Sequence, residues 1–183
     1  MSFLSTLFLV AACLAGFGGF VWSTWTHFQD TGERPVGAWL IFVLTPLGVL
    51  ATVYIVLTQP IYDFLLLGLG LYAVALGLLW WAIVETKDAR LPMAFSGDTP
   101  AQLLSRGPYS LVRHPFYSSC LLYWLAGAVA TGSLLLFAFF VGMTCLYLRA
   151  ALLEEATFAR SFFAHEYRAY AARTGMFVPW LLP

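Results

Sequence analysis

Long apolar runs alternate with short polar segments along the N-terminal half of the chain. Three runs are apolar almost throughout: Phe3 to Trp25, Val36 to Leu57 and Ile61 to Val84. A helix needs about 20 apolar residues to cross the hydrocarbon core of a bilayer, so this pattern predicts three membrane-spanning helices. Pro46 lies inside the second run, where a membrane helix tolerates proline because neighbouring groups bond the freed carbonyl. The first run lacks a basic leader and a small-residue cleavage site, which predicts a retained helix and not a signal peptide.

The C-terminal half has a long polar segment followed by two shorter apolar runs. The segment from Glu85 to His114 is interrupted by proline and glycine, so no single helix is expected there, although Ala101 to Leu104 suits one helical turn. Phe116 to Ala130 and Leu134 to Leu148 flank a Thr-Gly-Ser turn and predict a helical hairpin. We expect the second helix of this hairpin to continue past the membrane to about His165.

The pattern therefore predicts an all-α integral membrane protein with about five transmembrane helices, the last two a short hairpin. A cytoplasmic cofactor-binding loop and a C-terminal helical tail complete a single membrane domain, with three spans in residues 1–84 and the remaining parts in residues 85–183. Composition agrees, because 61% of the residues are hydrophobic and 10% are charged, against about 25% charged in soluble domains. The formal net charge of zero argues against a nucleic-acid partner.

Basic residues predict the orientation of the protein. With five spans, all nine Lys and Arg side chains lie on one side of the membrane, whereas four or six spans would divide them. Cytoplasmic loops are enriched in Lys and Arg, so this side should be the cytoplasm, with the N-terminus outside and the C-terminus cytoplasmic. The three cysteines all lie in apolar runs without metal-ligand spacing, and no metal site is predicted.

Polar residues that suit a ligand site occur in two short motifs. Pro115 favours the first turn of a helix, so Arg113 and His114 would flank a helix N-terminus, where free N–H groups and the helix dipole favour an anion. The adjacent acids Glu154 and Glu155 lie near a membrane helix end, and a carboxylate is a common partner for ribose hydroxyls. A plain alternative stays open for both motifs: the cations anchor the membrane interface and the acids face water.

Tyrosines accompany both motifs. Their rings suit stacking on an adenine or facing a cation, and they equally suit an interfacial aromatic belt. The five are Tyr109, Tyr117, Tyr147, Tyr167 and Tyr170.

The C-terminal half carries several motifs in a fixed order. They are Gly107-Pro-Tyr-Ser-Leu-Val-Arg-His-Pro-Phe-Tyr117, the predicted hairpin, Glu154-Glu155, Phe163-Ala-His-Glu-Tyr-Arg-Ala-Tyr170 and Phe177-Val-Pro179. This set resembles the isoprenylcysteine carboxyl methyltransferase and phospholipid methyltransferase superfamily of multi-pass membrane enzymes. The resemblance implies methyl transfer from S-adenosylmethionine to a lipophilic or membrane-embedded acceptor: an isoprenylcysteine-like carboxylate, a phospholipid amine or a thiol. A carboxylate or thiolate acceptor needs no general base, and the sequence identifies no base for an amine.

The resemblance also implies which residues of this chain bind the cofactor and substrate. Arg149 is the nearest candidate for the family's substrate-facing, catalytic arginine. Successive helix residues point about 100° apart, so one glutamate of the pair is expected to face the site; Glu154 lies nearer the membrane and is favoured, but the choice stays open. The expected cofactor-binding residues are Gln102, Leu103, Leu104, Tyr109, Arg113, His114, Tyr117, Glu154 and Glu155.

Two other functional classes stay open at this point. A related family of NADPH-dependent membrane sterol-type reductases shares the Arg-His-Pro-x-Tyr motif, but usually has Asn where this chain has Phe116. A non-enzymatic membrane subunit or carrier is the third hypothesis. Asp63 is the only ionisable residue at a predicted span away from the cytoplasmic face, so a proton relay through the membrane is not expected. Affinity for S-adenosylmethionine or NADPH distinguishes the three.

Overall fold

The computed structural model describes residues 3–29, 35–58, 64–87, 89, 91–92, 94–95 and 102–179 of the chain. In these ranges the fold is helical apart from two short strands, β1 (Phe28–Gln29) and β2 (Leu91–Pro92), which pair in parallel and join the segments that follow α1 and α3. A 3-10 helix (Gly107–Ser110) precedes α4. The α-helices are α1 (Phe3–His27), α2 (Val36–Thr58), α3 (Leu65–Glu85), α4 (Pro115–Thr131), α5 (Leu134–Arg160) and α6 (Ala164–Ala171).

Four of the described helices, α1, α2, α3 and α5, are long and apolar enough to cross a membrane. This confirms the prediction of an all-α integral membrane protein. Helix α4 has 17 residues, which span about 25 Å at 1.5 Å per residue, less than the roughly 30 Å hydrocarbon core. The predicted count of about five spans depends on this short helix and stays a prediction.

Helix α4 lies at the centre of the fold, because it packs extensively on α3 and also contacts α1, α2 and α5. Its contact with α3 is close: a Cβ on Gly68 would lie 2.4 Å from the Cβ and 2.8 Å from the Cα of Ala130. Small residues let two membrane helices approach until their backbones touch, which gains van der Waals contact that larger side chains would prevent.

Tyr123 on α4 joins the core of the helix bundle. Its ring meets Phe20, Tyr72 and Trp124 with edge-to-face geometry at centroid distances of 5.4, 5.3 and 4.8 Å. Its hydroxyl donates a 2.9 Å hydrogen bond to the carbonyl of Cys13 on α1. A tyrosine hydroxyl inside a membrane protein needs such a partner, because no water is available to replace it.

Three boundaries differ from the sequence prediction or fall outside the described residues. Helix α5 ends at Arg160 and not near His165. The reason is Ser161, whose Oγ donates to the carbonyl of Phe158 at 2.8 Å and accepts the Phe163 N–H at 3.1 Å, which replaces helical bonds with a turn. The helical turn predicted at Ala101 to Leu104 is not formed by residues 102–104, and Ala101 lies outside the described residues. The start of the predicted third run, which includes Asp63, also lies outside them.

Gly68→Ala should destabilise the protein because the new methyl group would collide with Ala130 on α4. Overpacking of this kind costs about 1–3 kcal/mol. Gly70→Ala is the matched control, since no atom lies within 4 Å of its Cβ position and alanine favours a helix. Thermal unfolding in detergent should show a lower midpoint for Gly68→Ala only; equal midpoints for the two variants would contradict the described α3–α4 packing.

Candidate functional site

The N-terminal end of α4 meets the C-terminal part of α5 in a group of charged and aromatic side chains. Arg113 Nε lies 2.7 Å from Glu155 Oε1, and His114 Nε2 lies 3.1 Å from the same oxygen. On the other side of the imidazole, His114 Nδ1 lies 3.4 Å from Glu154 Oε2, and the Tyr117 hydroxyl donates to Glu154 Oε1. We refer to Arg113, His114, Tyr117, Glu154 and Glu155 as the polar cluster.

Local helix geometry places the members of the polar cluster that precede and begin α4. Pro115 occupies the first turn, where its missing N–H costs nothing, and His114 is the cap residue before it. Tyr117 follows His114 by three residues, so the two side chains share a face and their rings stack at 5.5 Å with an interplanar angle of 12°. Tyr147 from α5 stacks on Tyr117 at 5.2 Å.

Both glutamates reach the site, whereas the helix period predicted that only one would face it. The imidazole of His114 accounts for the difference, because it offers a nitrogen to each carboxylate and lies between them. Which glutamate binds a cofactor stays a prediction.

The polar cluster is also held by the C-terminal tail, residues 172–179. The N–H of Arg113 donates to Gly175 O at 2.8 Å and that of His114 to Met176 O at 3.2 Å, while the Gly175 N–H returns a bond to Leu111 O. Nη1 of Arg113 donates to the carbonyls of Ala171 and Thr174. Arg113 is therefore paired with Glu155 and with backbone carbonyls, and a ligand anion would compete with these partners.

The charges of the polar cluster balance when His114 is protonated. Burial lowers the pKa of His114, but its contacts with Glu154 and Glu155 outweigh this effect and raise the pKa above the usual value. Only the protonated imidazole can donate from both nitrogens. Two cations then face two carboxylates, which lowers the cost of holding four ionisable groups next to a membrane helix.

Two tyrosines of α6 surround the polar cluster in different ways. The Tyr170 hydroxyl donates to the carbonyl of Tyr109 at 2.7 Å, and burial raises the pKa of Tyr170 to about 12. Tyr167 stacks on Phe158 of α5 at 4.9 Å with an angle of 11°. Its hydroxyl is buried and makes no hydrogen bond of ordinary length and angle within the described residues, although it lies near Glu155, whose charge adds to burial in raising the pKa of Tyr167. A buried hydroxyl without such a bond is costly, so it marks a position where a ligand atom would be stabilised.

Glu85 at the end of α3 was not predicted to lie near the site. A Cβ on Gly107 would lie 2.5 Å from Glu85 Oε2, and Gly107 has a φ of +55°, so only glycine fits this contact without strain. The charge of Glu85 also acts on Tyr109, whose pKa is raised mainly by burial. Gly107 of the Gly-Pro-Tyr motif is the sequence signal for this contact. The sequence does not indicate that Glu85 is the residue that Gly107 contacts.

The remaining predicted residues lie apart from the polar cluster. Gln102 is exposed, and Leu103 and Leu104 are half-buried in the segment before the 3-10 helix. Arg149 is exposed on α5, and no hydrogen bond or ion pair links it to the polar cluster in the described part of the chain. Tyr147 and Ala150 lie on the buried face of α5. Successive residues of a helix point about 100° apart, so Arg149 points away from that face.

An apolar cavity of about 320 Å³ lies beside the polar cluster, between α1, α2, α4 and α5. None of the described residues that line it is charged. The hydroxyls of Ser23 and Thr24 in its wall both donate to the carbonyl of Phe20 within α1. Tyr117 lines the cavity and belongs to the polar cluster as well.

The chain belongs to a class of membrane methyltransferases, as comparison with known proteins shows. The chain is a member of the phospholipid methyltransferase family, whose sequence profile matches residues 63–166, more than half of its length. This confirms the resemblance predicted from the motifs. The matched range includes α3, α4, α5 and every member of the polar cluster.

One curated relative supports the same assignment. Methanethiol S-methyltransferase 1 of Bradyrhizobium diazoefficiens is 33% identical to this chain over 82 residues. That alignment covers 45% of this chain and 28% of the relative, so the chain spans well under two thirds of the relative's length. No solved structure matches the chain.

His114→Gln should reduce stability in a pH-dependent way. The raised pKa of His114 means that its stabilising charge is fully present below the unfolded value of about 6.5 and is lost as the pH rises through the folded value. The difference in unfolding free energy between wild type and variant should therefore be largest near pH 6, on the order of 1–3 kcal/mol, and shrink as the pH rises through the folded pKa of His114. His165→Gln removes an exposed imidazole on α6 and is the control. A difference that stays constant across this range would contradict the charged bridge.

Proposed function

We propose that this chain transfers a methyl group from S-adenosylmethionine to a lipophilic or membrane-embedded acceptor. The observation that carries the proposal is the polar cluster adjoining an apolar cavity, with Tyr117 in both, in a member of a methyltransferase family. Acceptors consistent with the sequence are an isoprenylcysteine-like carboxylate, a phospholipid amine and a thiol. The family match favours this function over the NADPH-dependent reductase and the non-enzymatic subunit.

The donor and acceptor groups of the site fit S-adenosylmethionine. The cofactor carries an ammonium group, a carboxylate, ribose hydroxyls and an aromatic base. The described residues offer partly exposed glutamates, the buried hydroxyl of Tyr167 and its stacked neighbour Phe158. We propose Tyr167 as a cofactor-binding residue beside those implied by the resemblance, namely Gln102, Leu103, Leu104, Tyr109, Arg113, His114, Tyr117, Glu154 and Glu155.

The contacts of the two glutamates favour Glu155 as the cofactor ligand. Oε1 of Glu155 accepts from both Arg113 and His114, which leaves Oε2 for a ligand hydroxyl or ammonium group. Both oxygens of Glu154 already face protein groups, the Tyr117 hydroxyl and His114 Nδ1. This assignment replaces the preference for Glu154 that rested on its distance from the membrane.

The bound cofactor supplies an electrophilic methyl group on a sulfonium sulfur, so the chain itself mainly has to position the partners and exclude water. Arg113 and His114 hold the glutamates in place, and the tail carbonyls hold Arg113. The apolar cavity would receive the acceptor. We retain Arg149, which is exposed on α5, as the candidate substrate-facing residue that the family resemblance implies.

Tyr167→Phe should weaken S-adenosylmethionine binding more than it weakens the fold, because the hydroxyl that it removes makes no hydrogen bond of ordinary geometry in the described residues. Loss of one neutral hydrogen bond, about 0.5–1.5 kcal/mol, corresponds to a roughly two- to tenfold higher Kd. Tyr170→Phe is the matched control, since it loses the bond to Tyr109 and should lower stability more than affinity. Calorimetric titration with S-adenosylmethionine, S-adenosylhomocysteine and NADPH measures the effect.

In that titration, tighter binding of NADPH than of S-adenosylmethionine would contradict the proposed function. Unchanged affinity in Tyr167→Phe would remove this hydroxyl from the cofactor site.

We further propose five spans in one membrane domain, with α4 as the fourth, the N-terminus outside and the C-terminus cytoplasmic. The one-sided distribution of basic residues supports this orientation. A single cysteine introduced after Pro183, in a variant without the three native cysteines, should react with a membrane-impermeant maleimide only after the cells are opened. Labelling in intact cells would reverse the orientation.

A further inference from the structure

Glu85 adds a third carboxylate to the candidate cofactor site. It is the last residue of α3 and is half-buried. Its side chain lies against Gly107, where a Cβ would be 2.5 Å from Oε2, 3.0 Å from Cδ and 3.2 Å from Cγ of Glu85. Because three of its side-chain atoms approach this one position, the carboxylate packs beside the 3-10 helix that carries Tyr109.

Tyr109 relates Glu85 to the polar cluster. Its side chain is buried, and it follows Gly107 by two residues in the 3-10 helix. Burial raises the pKa of Tyr109 most, and the charges of Glu154 and Glu85 raise it further. Two carboxylates that act on one phenol lie near the same point. Glu85 and Glu154 therefore belong to one electrostatic site, although they come from α3 and α5.

The charges of this site no longer balance once Glu85 is counted. The two cations of the polar cluster, Arg113 and protonated His114, already face its two glutamates. Within the ranges that the structure describes, no ion pair includes Glu85. Lys87 and Arg106, the described cations nearest in sequence to Glu85 and its glycine contact, are exposed. A half-buried carboxylate without a cation partner leaves the site with an excess negative charge, which a cationic ligand would stabilise.

The hydroxyl of Tyr167 gives independent evidence that a ligand atom enters this site. The side chain is only 6% exposed. Its hydroxyl lies near Glu155 and makes no hydrogen bond of ordinary geometry in the described part of the chain. A buried polar atom of this kind marks a place for water or for a ligand. The excess negative charge and the unused hydroxyl therefore occur in the same site.

We propose, building on the S-adenosylmethionine-dependent function above, that the charge of Glu85 makes the site prefer S-adenosylmethionine to its product, S-adenosylhomocysteine. The cofactor carries an ammonium group, a sulfonium group and one carboxylate, so its net charge is positive. Methyl transfer breaks the bond between sulfur and the methyl carbon, leaves the electron pair of that bond on sulfur, and joins the methyl carbon to the acceptor. The product keeps the ammonium group and the carboxylate and has no net charge. Glu85 therefore attracts the donor more than the product, which favours the exchange of product for fresh cofactor.

Glu154 and Glu155 are less suited to this discrimination because each already faces a cation of the polar cluster. A neutralised carboxylate can still accept a hydrogen bond from a ligand, but its cation offsets most of its field at a distance. An unpaired charge acts over a longer range, because its interaction energy falls only with the inverse of the distance. The ring of Tyr109 supports the same preference, since the face of an aromatic ring attracts a cation.

Calorimetric titration of the purified protein with S-adenosylmethionine and S-adenosylhomocysteine tests the inference. Glu85→Gln keeps the shape of the side chain but removes its charge. The Kd for S-adenosylmethionine should therefore rise about fivefold or more, whereas the Kd for S-adenosylhomocysteine should change less than about twofold. Glu85→Asp keeps the charge and should keep most of the preference. Glu166→Gln removes the same charge from an exposed position on α6, where solvent screens it, and should bind both ligands as wild type does.

Two further measurements separate charge from shape. Sinefungin carries an ammonium group in place of the methylsulfonium, so it has the charge of the cofactor but no methyl group to donate. Its Kd should rise in Glu85→Gln to the same extent as that of S-adenosylmethionine. In wild type, which needs no substitution, raising NaCl from about 0.05 M to about 0.5 M should weaken binding of S-adenosylmethionine and sinefungin more than that of S-adenosylhomocysteine.

Equal losses of affinity for the three ligands in Glu85→Gln would overturn the inference, because Glu85 would then act on a group that all three share or on the fold. Equal salt dependence of the three ligands in wild type would overturn it as well. Either result leaves the proposed function standing as long as wild type binds S-adenosylmethionine. Failure of wild type to bind S-adenosylmethionine would overturn both.

Discussion

The site depends on the neutralisation of two adjacent carboxylates at the end of a membrane helix. Glu154 and Glu155 are half-buried, and an unpaired charge in that position would cost several kcal/mol. Arg113 and protonated His114 offset this cost, and both come from the residues that begin α4. The pairing therefore fixes the ends of α4 and α5 against each other, and the position of the Tyr117 ring follows from it.

The packing of α4 complements this electrostatic constraint from inside the membrane. The contact between Gly68 and Ala130 and the aromatic group around Tyr123 hold α4 against α3 and α1. Helix α4 has 17 residues, fewer than the roughly 20 that a membrane-spanning helix needs. This short central helix carries Tyr117, which lines the apolar cavity and bonds to Glu154 of the polar cluster.

The sequence predicted the parts of this structure that depend on local pattern. The apolar runs predicted helices α1 to α5, because a long apolar run is enough to indicate a helix in a membrane protein. The ordered motifs predicted which residues form the polar cluster. It could not predict contacts between distant segments. The bonds of Ser161 that end α5, the contact of Glu85 with Gly107 and the bridging of both glutamates by His114 all depend on tertiary geometry. Arg149 lies on the exposed side of α5, and its role as the substrate-facing arginine, which the family resemblance implies, stays a prediction.

The bonds between the C-terminal tail and the start of α4 have a consequence for biosynthesis. The carbonyls of Thr174, Gly175 and Met176 bond Arg113 and His114, which are made some sixty residues earlier. A ribosome has therefore synthesised every described helix before the last partners of Arg113 are available. Until then the nascent chain carries a membrane-adjacent ion pair that lacks part of its hydrogen bonding. The hydrogen bonding around Arg113 is thus completed only after residues 174–176 have been made.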